Sequence, residues 1–258
     1  MTTRTTVPVG APCWTDLWTS DVEGSRRFYG ELFGWEAGEP SPEFGGYFMF
    51  NRAGVPVAGA MGDMPDNPAQ NLWKIYLATD DIARTVKAAE AEGGQIVVPA
   101  MPVADLGIQA VLTDPTGAGV GVWQPATFPG FSVLDESGSP SWFELFATDY
   151  IRAVDFYRSV FRWETQVLSD TDDFRYTVLN PGDDGQLAGI MDAKSFVPAG
   201  GSYWSVYWET EDVDATVAKL RSLGGGVTRE ATDTPYGRMA TVTDPCGAGF
   251  KLRQAPTA

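Results

Sequence analysis

One aromatic-rich segment occurs twice in this chain, and that repetition constrains its folding more than any other feature. WTDLWTSDVEGSRRFYGELFGWE, from Trp14 to Glu36, returns as WFELFATDYIRAVDFYRSVFRWE, from Trp142 to Glu164, at a constant offset of 128 positions. Trp14, Leu17, Asp21, Phe28, Tyr29, Phe33, Trp35 and Glu36 are answered by Trp142, Leu145, Asp149, Phe156, Tyr157, Phe161, Trp163 and Glu164. An unbroken register carried by individually uncommon aromatics indicates two copies of one structural unit. The recurrence continues downstream. WKIYLATDDIARTVKAAEAEGG from Trp73 returns as WSVYWETEDVDATVAKLRSLGG from Trp204, and TDPTGAG from Thr113 returns as TDPCGAG from Thr243. Their offsets, 131 and 130, differ from the first by residues gained and lost in loops.

Within the first unit, Trp14 to Ser20 alternates bulky and small residues at period two and predicts a strand. Asp21 is the expected cap of a helix over Val22 to Leu32 that Gly34 ends. Short strands are predicted over Tyr47 to Asn51 and Val57 to Met61, around a turn at Ala53 and Gly54. MPDNPAQN reads as a surface loop. A strand over Trp73 to Thr79 precedes a second helix capped by Asp80 or Asp81, and a hairpin through Ala110 to Thr113 and Val120 to Gln124 closes the unit. The expected fold is α+β, with βαβββ modules at 9–125 and 140–254 and a Pro-, Gly- and Ser-rich linker at 126–139.

A charge of −16 argues against nucleic acid and anionic membrane surfaces as partners, since both are polyanions. The N-terminal segment has no apolar core of the signal-peptide type, and no run approaches a membrane span, so a cytoplasmic protein is expected. Cys13 and Cys246 fall outside the positions the two halves share and read as free thiols. The chain has no histidine, which removes Ser-His and Cys-His pairs and any imidazole base. No phosphate-cradling glycine motif is present, and the glycine pairs at 93–94 and 224–226 read as helix ends.

The repeated unit, with FYGELFGWE after its first helix and DPTGAG or DPCGAG before its last strand, resembles the vicinal oxygen chelate superfamily. That superfamily includes glyoxalase I, extradiol dioxygenases and bleomycin resistance proteins, and the chain is most similar to its two-module, glyoxalase-like actinobacterial members. The resemblance implies cup-shaped sheets and, in most members, a divalent metal held by two His and one Glu. The corresponding positions here are Trp14, Lys74 and Gly121 in the first half and Trp142, Ser205 and Lys251 in the second. Indoles, ammonium groups, a hydroxyl and a missing side chain are poor ligands, so no metal and no cofactor are expected, and neither is metal-dependent glyoxalase I or dioxygenase activity.

Strand alternation suggests what fills the cups instead. If Trp14 points inward, so do Asp16 and Trp18, and in the second half Trp142, Glu144 and Phe146. Lys74, Tyr76 and Trp123 face the first cup by the same rule, and Ser205, Tyr207, Glu209 and Lys251 the second. Each cup becomes an aromatic wall with one carboxylate, the composition of a pocket for a small hydrophobic or aromatic molecule. Asp16 and Glu144 are the candidate general acids or bases, set against a structural role in pairs with Lys74, Lys251 or Arg238. Three functions fit: metal-independent binding of such a molecule, a non-metal isomerase, lyase or cyclase, or plugged cups on a protein-interaction module. A monomer whose units pair within the chain and a homodimer both fit.

Overall fold

The computed structural model describes residues 6–63, 70–180, 182, 185–197 and 201–256. Most of the predicted 64–71 loop lies outside these residues. The first half runs β1 (Pro12–Trp18), α1 (Val22–Phe33), β2 (Glu36–Ala37), a 3-10 turn (Pro42–Phe44), β3 (Phe48–Arg52), β4 (Val55–Met61), β5 (Leu72–Ala78), α2 (Ile82–Ala91), β6 (Gln95–Val103), β7 (Gly107–Thr113) and β8 (Gly119–Pro125). The second half repeats this as β9 (Pro140–Ala147), α3 (Tyr150–Phe161), β10 (Thr165–Asp170), β11 (Arg175–Leu179), β12 (Ala188–Asp192), β13 (Tyr203–Glu209), α4 (Val213–Ser222), β14 (Gly226–Thr234), β15 (Gly237–Thr243) and β16 (Gly249–Gln254). Each half therefore holds two strand-helix-strand-strand-strand motifs, so the repeat is finer than the two modules read from sequence.

Local chemistry explains the helices. Asp21, Asp81, Asp149 and Asp212 each accept a backbone N–H three residues on, from Gly24, Arg84, Arg152 and Ala215. These bonds satisfy donors that a helix start leaves free. Asp81, not Asp80, is the cap of α2. Strand β1 begins two residues before the predicted start and ends at Trp18, because Gly10 and Ala11 already bond to Ala78. Strand β6, over Gln95–Val103, was not among the strands read from sequence. Two prolines disguise it, and the sheet tolerates them because β6 is its edge strand.

Each half forms its own eight-stranded sheet, in the orders β2-β3-β4-β1-β5-β8-β7-β6 and β10-β11-β12-β9-β13-β16-β15-β14. At each centre the first strands of the two motifs pair antiparallel, β1 with β5 and β9 with β13. No strand crosses between the sheets among the described residues. The halves pair instead through their outer faces, α1 against α4, α2 against α3 and β5 against β13.

That contact is a reciprocal set of hydrogen bonds. Tyr29 Oη donates to Asp244 of the second half at 3.1 Å and accepts from Trp73 Nε1 at 3.2 Å. Tyr157 Oη donates to Asp114 of the first half at 3.1 Å and accepts from Trp204 Nε1 at 2.8 Å. Trp35 Nε1 donates to the Gly138 carbonyl and Trp163 Nε1 to the Gly10 carbonyl, at 2.8 and 2.9 Å. Fully buried Trp208 packs 4.8 Å from Trp35 and 5.2 Å from Trp73. The repeated aromatics thus form a core between the halves. Asp114 and Asp244 are turn residues, as expected, and also join the two halves.

The 126–139 segment is packed rather than a free spacer. Phe131 is buried against Trp14 and Phe143, and Phe128 stands edge-on to Trp14 at 4.9 Å. Both cysteines are free thiols. Cys13 is buried, and its thiol donates to the Tyr76 carbonyl.

Candidate functional site

The inward face of the first sheet encloses a cavity of about 610 Å³. Trp14, Asp16, Trp18, Lys74, Tyr76 and Trp123, all placed in the first cup from sequence, line it together. Met49 and Met61 extend the floor. Phe44 and Glu43 of the 3-10 turn, Phe128 of the connection and the β6–β7 hairpin around Met101 and Leu106 form the rim. A depression of about 660 Å³ along α3, beside Asp155, Arg158, Ser159 and Arg162, is wider but is a solvent-open trough of charged side chains.

At the floor, Asp16 is held by three donors. Tyr47 Oη and Trp14 Nε1 both reach Asp16 Oδ1 at 2.9 Å, and the Tyr76 hydroxyl bonds the same carboxyl. Burial raises the Asp16 pKa; the three donors and the Lys74 charge pull it partly back. Burial and the neighbouring carboxylate push the Tyr47 and Tyr76 hydroxyls well above their ordinary value. The Lys74 ammonium sits 4.4 Å from the centre of the Trp18 ring, and burial lowers its pKa while Asp16 opposes that shift. The expected Asp16–Lys74 relation is therefore electrostatic, and no salt bridge closes between them.

Tyr47 was read only as the start of a strand, yet it completes this cluster. Its counterpart Tyr176 accepts from Trp142 Nε1 at 3.0 Å, as Tyr47 accepts from Trp14. The signal was present in the repeat: both tyrosines lie over a glycine of the fourth strand of their motif. A Cβ on Gly59 would stand 1.9 Å from Tyr47 Oη, and one on Gly189 would stand 2.0 Å from Tyr176 Oη.

The second cup keeps the same parts. Tyr207 Oη donates to Glu144 in a very short contact, and Tyr176 bonds the same carboxylate. Burial and Glu144 raise both phenols. Lys251 reaches from β16 over the rings of Phe146 and Tyr207, at 4.3 and 5.1 Å, and burial depresses its ammonium pKa. Phe146 is stacked by Tyr203 at 5.0 Å and met edge-on by Phe196. Ser205 is buried opposite Glu144. Glu209 is committed elsewhere, accepting from Arg253 at 3.0 Å and from the Ala255 N–H at 2.8 Å. Arg238, considered as a partner of the cup carboxylates, is engaged by Asp214 and Asp233 on the surface.

Strand register also tests the metal positions. Tyr76, not Lys74, lies opposite Trp14 and beside Gly121, and Tyr207 lies opposite Trp142 and beside Lys251. A Cβ on Gly121 would stand 2.2 Å from the Tyr76 ring. Phenol rings thus take the space beside the third ligand position, and no cluster of three His, Cys, Asp or Glu side chains forms among the described residues. This donor set does not fit a divalent cation. No helix among the described residues is long and apolar enough to cross a membrane.

Comparison with known proteins places the fold in a family. The chain is 34% identical over 253 residues to a Mycobacterium bovis protein named "Putative glyoxylase CFP32", covering 96% of each chain. It is 36% identical over 266 residues to the anthracycline biosynthesis protein DauV of Streptomyces sp. (strain C5), covering 95% of this chain and 94% of DauV. In fold it matches the Mn(II)-bound glyoxalase from Novosphingobium aromaticivorans with a TM-score of 0.65 at 18% identity, over 96% of this chain and 82% of that one. The family model described as Glyoxalase/Bleomycin resistance protein/Dioxygenase superfamily matches residues 13–122 and 139–252. With both halves matched and the motif order reproduced in each sheet, the chain belongs to the Glyoxalase/Bleomycin resistance protein/Dioxygenase superfamily.

Proposed function

We propose that this protein binds a fused-ring aromatic molecule in its first cup, without a divalent metal at the family's ligand positions. The observation that carries the reading is the 610 Å³ cavity, walled by Trp14, Trp18, Tyr76, Trp123 and Phe128 over a single polar cluster. Flat aromatic walls with a few convergent polar groups suit a planar ligand. Relatives named for anthracycline biosynthesis support a ligand of that type. In the second cup Lys251 lies over the rings of Phe146 and Tyr207, and one ligand per chain is the expected stoichiometry.

Titration with 2-methoxyanthraquinone, followed by tryptophan fluorescence, tests this. One saturable site is expected. Gln109→Trp, which fills the first cavity, should abolish binding, and Met239→Trp at the matching place in the second half should leave it intact. No saturable binding across two-, three- and four-ring aromatic probes would refute the reading. Asp16 supports a second role, because a buried carboxyl of raised pKa against the ligand space suits proton transfer. Turnover of a bound compound that Asp16→Asn stops, with binding preserved, would establish it.

A further inference from the structure

The first cup contains a cation with no hydrogen-bond acceptor at contact distance. Lys74 is the sole basic side chain lining the cavity among the described residues. Its ammonium faces the Trp18 ring, donates no hydrogen bond and closes no salt bridge there. An ammonium carries three donors, and leaving them unfilled in a partly desolvated pocket is costly. Asp16 cannot supply the acceptor at contact distance, because its carboxyl is turned to Tyr47, Trp14 and Tyr76. In the second cup Lys251 lies across the rings of Phe146 and Tyr207, near Glu144.

Resting on the aromatic-ligand reading above, we infer that the ligand is a hydroxyaryl compound bound as its phenolate, with the anionic oxygen on Lys74 Nζ and the ring against Trp18. The titratable groups around that oxygen fix its charge. Asp16 on β1, Tyr76 on β5, Tyr47 at the edge of β3 and Glu43 on the 3-10 turn are acids, so Lys74 is the one group that can balance a single negative charge. A second ionised oxygen would meet Asp16 or Glu43. The phenolic proton leaves to bulk buffer, which balances the step.

The full-length protein is mixed with 2-hydroxyanthraquinone or 2-methoxyanthraquinone in buffer acidic enough to keep the free phenol neutral. The hydroxy probe should bind roughly 10- to 100-fold more tightly, the range of a hydrogen bond to a charged group. Its absorption should move to the phenolate band, and one proton should be released per molecule bound. Lys74→Met should remove the phenolate band and the preference, so that the two probes bind the variant with affinities within about twofold of each other. Equal affinities, a neutral spectrum in the complex, or a phenolate band that persists in Lys74→Met would each overturn the assignment. The comparison of the two probes on the unaltered protein stands even if Lys74→Met fails to fold. Should neither probe bind, the aromatic site itself is refuted and the phenolate assignment falls with it.

Discussion

Asp16 experiences the strongest conflict in the first cup, since burial opposes its charge while three donors favour it. Burial prevails, so its folded pKa lies above the ordinary 3.8. The folded state then holds more protons than the unfolded state between those two values, and stability falls as pH rises through that window. Asp16→Asn retains the shape and can still accept from Trp14 and Tyr47. Its melting temperature should therefore fall less than that of the unaltered protein between pH 3.8 and neutrality, as measured by circular dichroism. An equal fall would show that Asp16 carries no such burden. Asp16 was legible in sequence because alternation along β1 puts it on the Trp14 face. The role of Tyr47 was not read, although the Tyr47 and Gly59 combination recurs as Tyr176 and Gly189, because only the pairing of β3 with β4 brings the two together.

At the scale of the element, equivalent helices end differently. Both α1 and α3 finish with a residue in the left-handed region, Gly34 at φ 72° and Arg162 at φ 57°. That region costs a non-glycine residue about 1 kcal/mol or more. Gly34→Ala, which meets no atom within 4 Å, should lose about 1 kcal/mol through backbone strain alone. Arg162→Gly should gain up to about 1 kcal/mol, because the Arg162–Asp80 pair it removes is about half exposed on both sides and contributes little. Urea denaturation of the two variants checks both signs. The aspartate caps, the helix-ending glycines and most strands were readable because each is set by a few neighbouring residues. Strand β6 was not, since only its edge position makes its prolines acceptable.

At the scale of the molecule, the two halves are joined by buried tyrosines that act in both directions. Tyr29→Phe would leave Trp73 Nε1 without its acceptor and Asp244 Oδ2 without the tyrosine donor, although Oδ1 keeps its two backbone donors. Tyr157→Phe would do the same to Trp204 and Asp114. Each substitution should cost about 1–3 kcal/mol, the usual penalty for stranding a buried polar group. Fluorescence and far-ultraviolet circular dichroism should still report one coincident unfolding transition, because the Trp35, Trp73 and Trp208 cluster spans both halves. Two separated transitions in Tyr157→Phe would mean that the halves fold independently.

The sequence by itself determined the repeat, the α+β motif order, the helix caps and the alternation that puts Trp14, Asp16 and Trp18 on one face of β1. Those follow from period-two alternation, helical spacing and local hydrogen bonding, all properties of short stretches of chain. Only the tertiary structure decided what the cups became. In the first half Tyr76 lies against Gly121 while Lys74 on β5 reaches over Trp18, whereas Lys251, at the Gly121 position of the second half, reaches over Phe146 and Tyr207. The two halves contain nearly the same chemical groups. Which strand carries the lysine decides which rings it covers, and that depends on strands brought together from opposite ends of each half.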